Sequence, residues 1–173
     1  NNGASYGVTC ILSIIPDGEP HVFGDCIYLF GSHDKEGGDK YCQEGNYMGW
    51  SAPLDHPTEW TSHGIIYEPS QDSEFFGHAF YEAASIRKIN GNYYFIYSSE
   101  NSNELCYATS QNYNEPYHFG GIIISNGDVG YHGRSGGNRT NQTANDNGSL
   151  ACIKGQWYIF HHRQTHSGTF SRQ

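Results

Sequence analysis

Three segments of this chain repeat one pattern: an apolar stretch, a tight glycine-containing turn, and then an aromatic-rich stretch. The three copies are His21–Phe30, Ile89–Tyr97 and Ile153–Phe160. Asn-Gly and Gly-Asp dipeptides are typical of two-residue hairpin turns, and β-branched and aromatic residues favour strands. Each copy is therefore predicted to form a β-hairpin.

Further strand-like stretches extend the first two copies, at residues 49–53 and 60–67 and at residues 106–110 and 117–124. With them, each unit becomes a four-stranded antiparallel meander of about 45 to 50 residues, the size of a propeller blade. The third copy has room for only two or three strands before the sequence ends. No segment has convincing helical periodicity. The predicted fold is an all-β partial propeller of about three four-stranded antiparallel blades.

Composition supports the all-β prediction and excludes some partners. Aromatic residues make up 15% of the chain, glycines number 22, and the formal net charge is −9 with only 9 Lys and Arg. Nucleic acids and anionic membranes need a basic surface, so neither is an expected partner. No apolar run approaches the roughly 20 residues that span a bilayer, so the chain is expected to be soluble, either secreted or cytoplasmic.

The three units are expected to form one domain over residues 1–173. The blade-like units run from about 16 to 67, 75 to 125 and 147 to 173. Propellers often close by pairing an N-terminal strand with the last blade, and the apolar, β-branched residues 7–15 could supply that strand. The five cysteines are odd in number and include no CxxC pair, so neither a zinc site nor a complete disulfide framework is indicated.

The chain resembles glycoside hydrolase family 43, which contains β-xylosidases and α-L-arabinofuranosidases. Three groups of segments carry the resemblance, in the family's order. Residues 15–25 and 29–34 are similar to its opening blade, and residues 81–89 and 93–98 to its acid-bearing blade. The closing blade is matched by residues 147–149, 155–158, 162–163 and 170–173. The resemblance implies a relationship to five-bladed propellers.

The resemblance also implies catalysis by inversion, with two carboxyl groups in a central funnel where the first strands of the blades converge. Asp17 matches the general base and Glu82 matches the general acid. In an inverting glycosidase the two groups stand about 6.5–9.5 Å apart, which leaves room for the attacking water. Without the resemblance, Asp17 reads as part of a Pro-Asp-Gly turn and Glu82 as a charge at a strand edge.

The chain departs from the family pattern in its middle. The family's third carboxylate, an Asp that orients the acid, has no matching segment here, and the chain keeps the first blade and the last two. Three blades are fewer than the usual four to eight, so one chain is not expected to close a ring. A homo-oligomer, a partner chain that completes the ring, or a missing segment would each account for this.

Five further residues are candidates for the site. Trp50 could stack on a sugar or belong to a blade core. His33, with Asp34 beside it, could line the funnel or end a strand. Arg172 matches a family position that reaches substrate or a carboxylate, or it forms a structural ion pair. Asn147 replaces a family His that lies near a central ion or water.

No cofactor is required for this chemistry. The replacement at Asn147 argues against a calcium site, although an Asn oxygen could still be a ligand. Two functions remain in competition. One is a glycosidase that acts by inversion on pentose-containing plant polysaccharide or oligosaccharide, such as the side chains of xylan or arabinan. The other is a non-catalytic relative that binds glycan or serves as an assembly subunit.

Overall fold

The structure of the chain is a computed structural model that describes residues 15, 18–39, 44–68, 81–99, 104–114, 116–125 and 147–162. These residues form ten strands in three antiparallel sheets. The first sheet consists of β1 (Glu19–Phe23), β2 (Cys26–Ser32), β3 (Tyr47–Pro53) and β4 (Thr61–Tyr67). The second consists of β5 (Tyr81–Ile89), β6 (Asn92–Ser99), β7 (Glu104–Ser110) and β8 (His118–Ser125). The third consists of β9 (Gly148–Ile153) and β10 (Gln156–His161).

Strand order follows chain order in every sheet, as in a propeller blade. The prediction of an all-β partial propeller is confirmed, with two four-stranded sheets and a two-stranded third sheet in the described part of the chain. The predicted blade boundaries contain these sheets. The predicted closing strand at 7–15 lies outside the described residues. None of the described residues belongs to a helix long and apolar enough to cross a membrane.

The three predicted hairpins form with two-residue turns. Asn90 and Gly91 both have positive φ angles, 51° and 88°, as a type I′ turn requires. Lys154 and Gly155 repeat this geometry at 52° and 80°. In the first hairpin only Gly24 has a positive φ, 60°. The glycine in each turn thus sets the register of the strands on either side of it.

The main core lies between the first and second sheets and consists largely of aromatic rings. Along β6, Tyr93, Phe95 and Tyr97 alternate with residues on the opposite face and point into this core. The ring centroid of Tyr47 lies 4.7 Å from that of Phe95 and 6.0 Å from that of Tyr97. The Tyr97 hydroxyl lies 3.3 Å from the Tyr67 hydroxyl, and burial raises the pKa of Tyr97 far above its ordinary value. These rings fix how the two sheets pack.

The third sheet packs on the opposite face of the second, where Gly148 allows close approach. A β-carbon at Gly148 would lie 2.5 Å from Cδ2 of the fully buried Leu105 and 3.1 Å from the carbonyl oxygen of Phe160. The absence of a side chain at Gly148 therefore sets the distance between the first residue of β9 and β7.

Gly148→Ala is expected to destabilise the protein by about 1–3 kcal/mol, because the added methyl group overpacks a filled contact. Urea unfolding would measure the change, with Ser149→Ala as the control in the next residue of the same strand. If the Gly148→Ala variant is as stable as the wild type, the second and third sheets can move apart at little cost in free energy.

Candidate functional site

One side chain, Arg87 on β5, contacts the first strands of the other two sheets. Its Nη1 and Nη2 groups donate hydrogen bonds to the two carboxylate oxygens of Glu19 on β1, at 3.0 and 2.7 Å. Its Nε group donates to the carbonyl oxygen of Leu150 on β9 at 2.8 Å. In a propeller the first strands surround the central funnel, so this junction lies where a funnel site is expected.

His21 lies beside this junction on β1, and its ring centroid is 4.7 Å from that of Phe23. Burial lowers the pKa of His21, the positive charge of Arg87 lowers it further, and Glu19 opposes the shift. The neutral imidazole is therefore favoured, and the positive charge at the junction resides on Arg87.

The acid candidate Glu82 is the second residue of β5, and its backbone pairs with Ser98 on β6. The ladder shifts register between Glu82 and Ser85. The Ser85 hydroxyl is buried with no hydrogen-bond partner. A break in pairing lets a strand re-aim the residues next to it, and such irregularities occur often beside active sites. The Glu82 side chain, Asp17 and Arg172 lie outside the described part of the structure.

Asn147 directly precedes β9, and its Oδ1 atom is buried without a hydrogen-bond partner. The adjacent Gly148 packs on Leu105, which pairs with Ser98, the ladder partner of Glu82. The first residue of β9 therefore contacts the row of paired residues in the second sheet that begins with Glu82. A calcium ion needs six to eight oxygen ligands, and Asn147 supplies one. No group of three or more His, Cys, Asp or Glu side chains able to hold a metal occurs among the described residues.

The structure places the remaining candidates in the first sheet. Trp50 lies within β3 and is 3% exposed, so stacking on a sugar would require its ring to become accessible. His33 follows β2 and is half-buried beside the half-buried Asp34. Its Nδ1 atom lies 3.1 Å from Oδ1 of Asn46, whose Nδ2 donates to the Glu44 carbonyl. The Oδ1 atom of Asn46 can only accept a hydrogen bond, so Nδ1 of His33 carries the proton in this arrangement.

The sequence reasoning did not find the pair of Arg87 and Glu19. The sequence indicates a role for Arg87 and Glu19 only as members of the segments 81–89 and 15–25, which carry the family resemblance. One signal was available: Arg87 interrupts the apolar residues of β5, and a charged residue in a buried strand is usually paired. Its partner lies 68 residues away, and local sequence patterns do not reach that far.

No family model matches the chain. A curated xylosidase/arabinosidase of Thermoclostridium stercorarium is 25% identical, and the match covers 92% of this chain and 60% of the relative. A β-xylosidase of Xylanibacter ruminicola is 35% identical over 87 residues, which cover 49% of this chain and 22% of that protein.

Two solved structures share the fold. An α-L-arabinofuranosidase of Clostridium thermocellum has a TM-score of 0.62 at 21% identity, covering 83% of this chain and 45% of its own. A family 43 β-xylosidase/α-arabinofuranosidase from a compost microbial metagenome, in a calcium-free complex with xylotriose, has a TM-score of 0.59 at 18% identity. It covers 83% of this chain and 41% of its own. The chain is thus similar in sequence to curated xylosidase/arabinosidases and shares the fold of family 43 glycoside hydrolases.

The chain spans only part of the length of the proteins that it matches. The match to the Thermoclostridium protein extends over 287 residues, which exceeds the 173 residues of this chain by 114. At least 114 positions within the matched span therefore have no counterpart here. Family 43 propellers have five blades, and the described residues of this chain form three sheets. The expectation that the chain lacks middle blades agrees with this difference in length.

Proposed function

We propose that this chain contributes the catalytic carboxyl groups of a glycoside hydrolase that acts by inversion on pentose-containing plant polysaccharide or oligosaccharide. Side chains of xylan or arabinan are the expected substrates. The observation that carries the proposal is the junction of the first strands. It ties β5, which contains Glu82, to β1, which begins two residues after Asp17. The names of the curated relatives support the choice of sugar.

In this mechanism Asp17 takes a proton from water while that water attacks the anomeric carbon. Glu82 donates its proton to the oxygen of the leaving group on the opposite side of the sugar. A water molecule must fit between the base and the sugar, so the two carboxyl groups need a separation of about 6.5–9.5 Å. Neither step uses a metal ion or an organic cofactor.

The test is hydrolysis of aryl β-xyloside and aryl α-L-arabinofuranoside, followed by proton NMR of the first product. An inverting enzyme releases the sugar with the opposite anomeric configuration from the substrate. Release with retained configuration would contradict the mechanism, and the absence of release with both substrates would favour the non-catalytic alternative.

A second copy of this chain is the proposed partner that completes the funnel. Two chains with three sheets each would form six blades, which lies within the usual range of four to eight. Large apolar side chains are exposed on both end sheets: Tyr158 and Phe160 (56% exposed) on the third, and Val22 and Ile65 on the first. Contiguous exposed apolar surface marks interaction sites, and Tyr158 and Phe160 lie on the same face of β10.

Molecular mass in solution, measured on the same sample as the hydrolysis, tests this assembly. A dimer with turnover supports a composite funnel. A monomer with turnover would show that a second copy is not needed, and a large assembly without turnover would favour a structural role.

A further inference from the structure

We propose that Arg87 is a positioning residue that sets the separation between the Asp17 and Glu82 carboxyl groups. The inference rests on the proposed function, and it assigns a role to an ion pair that the two-carboxylate mechanism does not use. Its basis is the position of Arg87, whose guanidinium group contacts the first strands of all three sheets.

The guanidinium group is held from several directions. Both carboxylate oxygens of Glu19 accept from it, the Leu150 carbonyl accepts from Nε, and the Ile86 carbonyl accepts from Nη1 at 2.9 Å. Arginine has five N–H groups in one plane, so these bonds engage four of the five. The planar guanidinium group accordingly cannot shift without breaking one of its four hydrogen bonds. The contact therefore defines the distance between β5 and the two strands β1 and β9.

Burial strengthens this restraint. The side chain of Arg87 is 13% exposed and that of Glu19 is 27% exposed. An ion pair partly removed from water is screened less than a surface pair, and the loss of one partner leaves the other charge poorly solvated. The pair is thus expected to be more persistent than an ion pair on the surface.

The restraint acts on the two strands that connect in sequence to the carboxyl candidates. Glu19 is the first residue of β1, and Asp17 precedes it by two residues, or about 7.6 Å at most between Cα atoms. Glu82 lies five residues before Arg87 on β5, at most about 17 Å along a strand whose pairing shifts register between Glu82 and Ser85. Sliding β1 against β5 would change the separation of the carboxyl groups by a similar amount, and a displacement of about 1 Å can cost about 10²-fold in rate.

The test compares Arg87→Lys and Arg87→Met with Lys88→Met, the matched control at the next residue, whose ammonium group lies 4.9 Å from the Tyr93 ring centroid. Lysine keeps the charge but cannot hold two carboxylate oxygens and a carbonyl in one plane. For both Arg87 variants we expect kcat to fall by about 10- to 100-fold with KM within about twofold. Lys88→Met should match the wild type.

A second readout does not depend on activity. Nitroxide labels are attached to cysteines introduced at positions 17 and 82, after the five native cysteines have been replaced, and dipolar broadening is recorded in frozen solution. We expect a narrow distance distribution with Arg87 present and a broader one in Arg87→Met and Arg87→Lys.

If a folded Arg87 variant has a distance distribution as narrow as that of the protein with Arg87, the proposal is overturned. If Arg87→Met does not fold, the width of the distance distribution in Arg87→Lys decides instead. If the wild type shows no turnover, the proposed function fails, whereas the label distances still decide whether Arg87 fixes the spacing. An equal loss of kcat in Lys88→Met would show that the effect is a general loss of stability and would also overturn the proposal.

Discussion

Glu82→Gln is expected to lower kcat for an unactivated xylo-oligosaccharide by about 10²–10⁴-fold while the protein stays folded. The amide has nearly the shape of the carboxyl group but cannot donate the proton that the leaving oxygen needs. Kinetics on oligosaccharide, with circular dichroism to confirm the fold, would measure the change. Glu36→Gln is the matched control, because Glu36 is exposed in a turn of the first sheet region.

The leaving group distinguishes a general acid from a residue that is merely structural. A dinitrophenyl glycoside departs without protonation, so the Glu82→Gln variant should lose much less activity on it than on oligosaccharide. A residue needed only for folding would affect both substrates equally. Equal losses, or full activity on oligosaccharide, would remove Glu82 from the acid role.

Phe95→Ala is expected to destabilise the protein by about 3–5 kcal/mol. Phe95 is fully buried on β6, and its ring contacts those of Tyr47 and Tyr67 across the interface between the first two sheets. Removing the ring leaves a cavity that the surrounding tyrosines cannot fill without leaving their own contacts. The free energy of unfolding in urea would measure the loss.

Phe160→Ala provides the control for this prediction. It removes the same side chain from a strand of similar size, but Phe160 is largely exposed on β10. A change within about 0.5 kcal/mol is expected there. If the two variants lost similar stability, the interface between the first two sheets would not be the main core, or Phe160 would be covered in an assembly. Measuring molecular mass in both variants separates these two explanations.

The sequence predicted the elements of this fold well, because its signals are local. The turn residues Asn90 and Gly91 marked a hairpin, and the alternation Tyr93, Phe95, Tyr97 marked a face of one strand. Both signals act over a few residues. The pairing of each sheet followed, since neighbouring strands in these meanders are neighbours in the chain.

The candidate site was less accessible to sequence reasoning. Residue patterns alone left Asp17 as a turn residue and Glu82 as an edge charge, and only the family resemblance gave them roles. The contact between Arg87 and Glu19 joins residues 68 apart, and the one between Arg87 and Leu150 joins residues 63 apart. Such contacts depend on how whole sheets pack, which no local pattern encodes.

The order of strands within the sheets has a consequence for the order of folding. Every ladder joins strands that follow one another in the chain, so each sheet can form after closing only short loops. The contacts of Arg87 close much longer loops and should form late. A sheet whose strands pair with the next strand in the chain does not need the other sheets to establish its register. Removal of one whole blade would therefore leave the strand pairing of the remaining sheets intact.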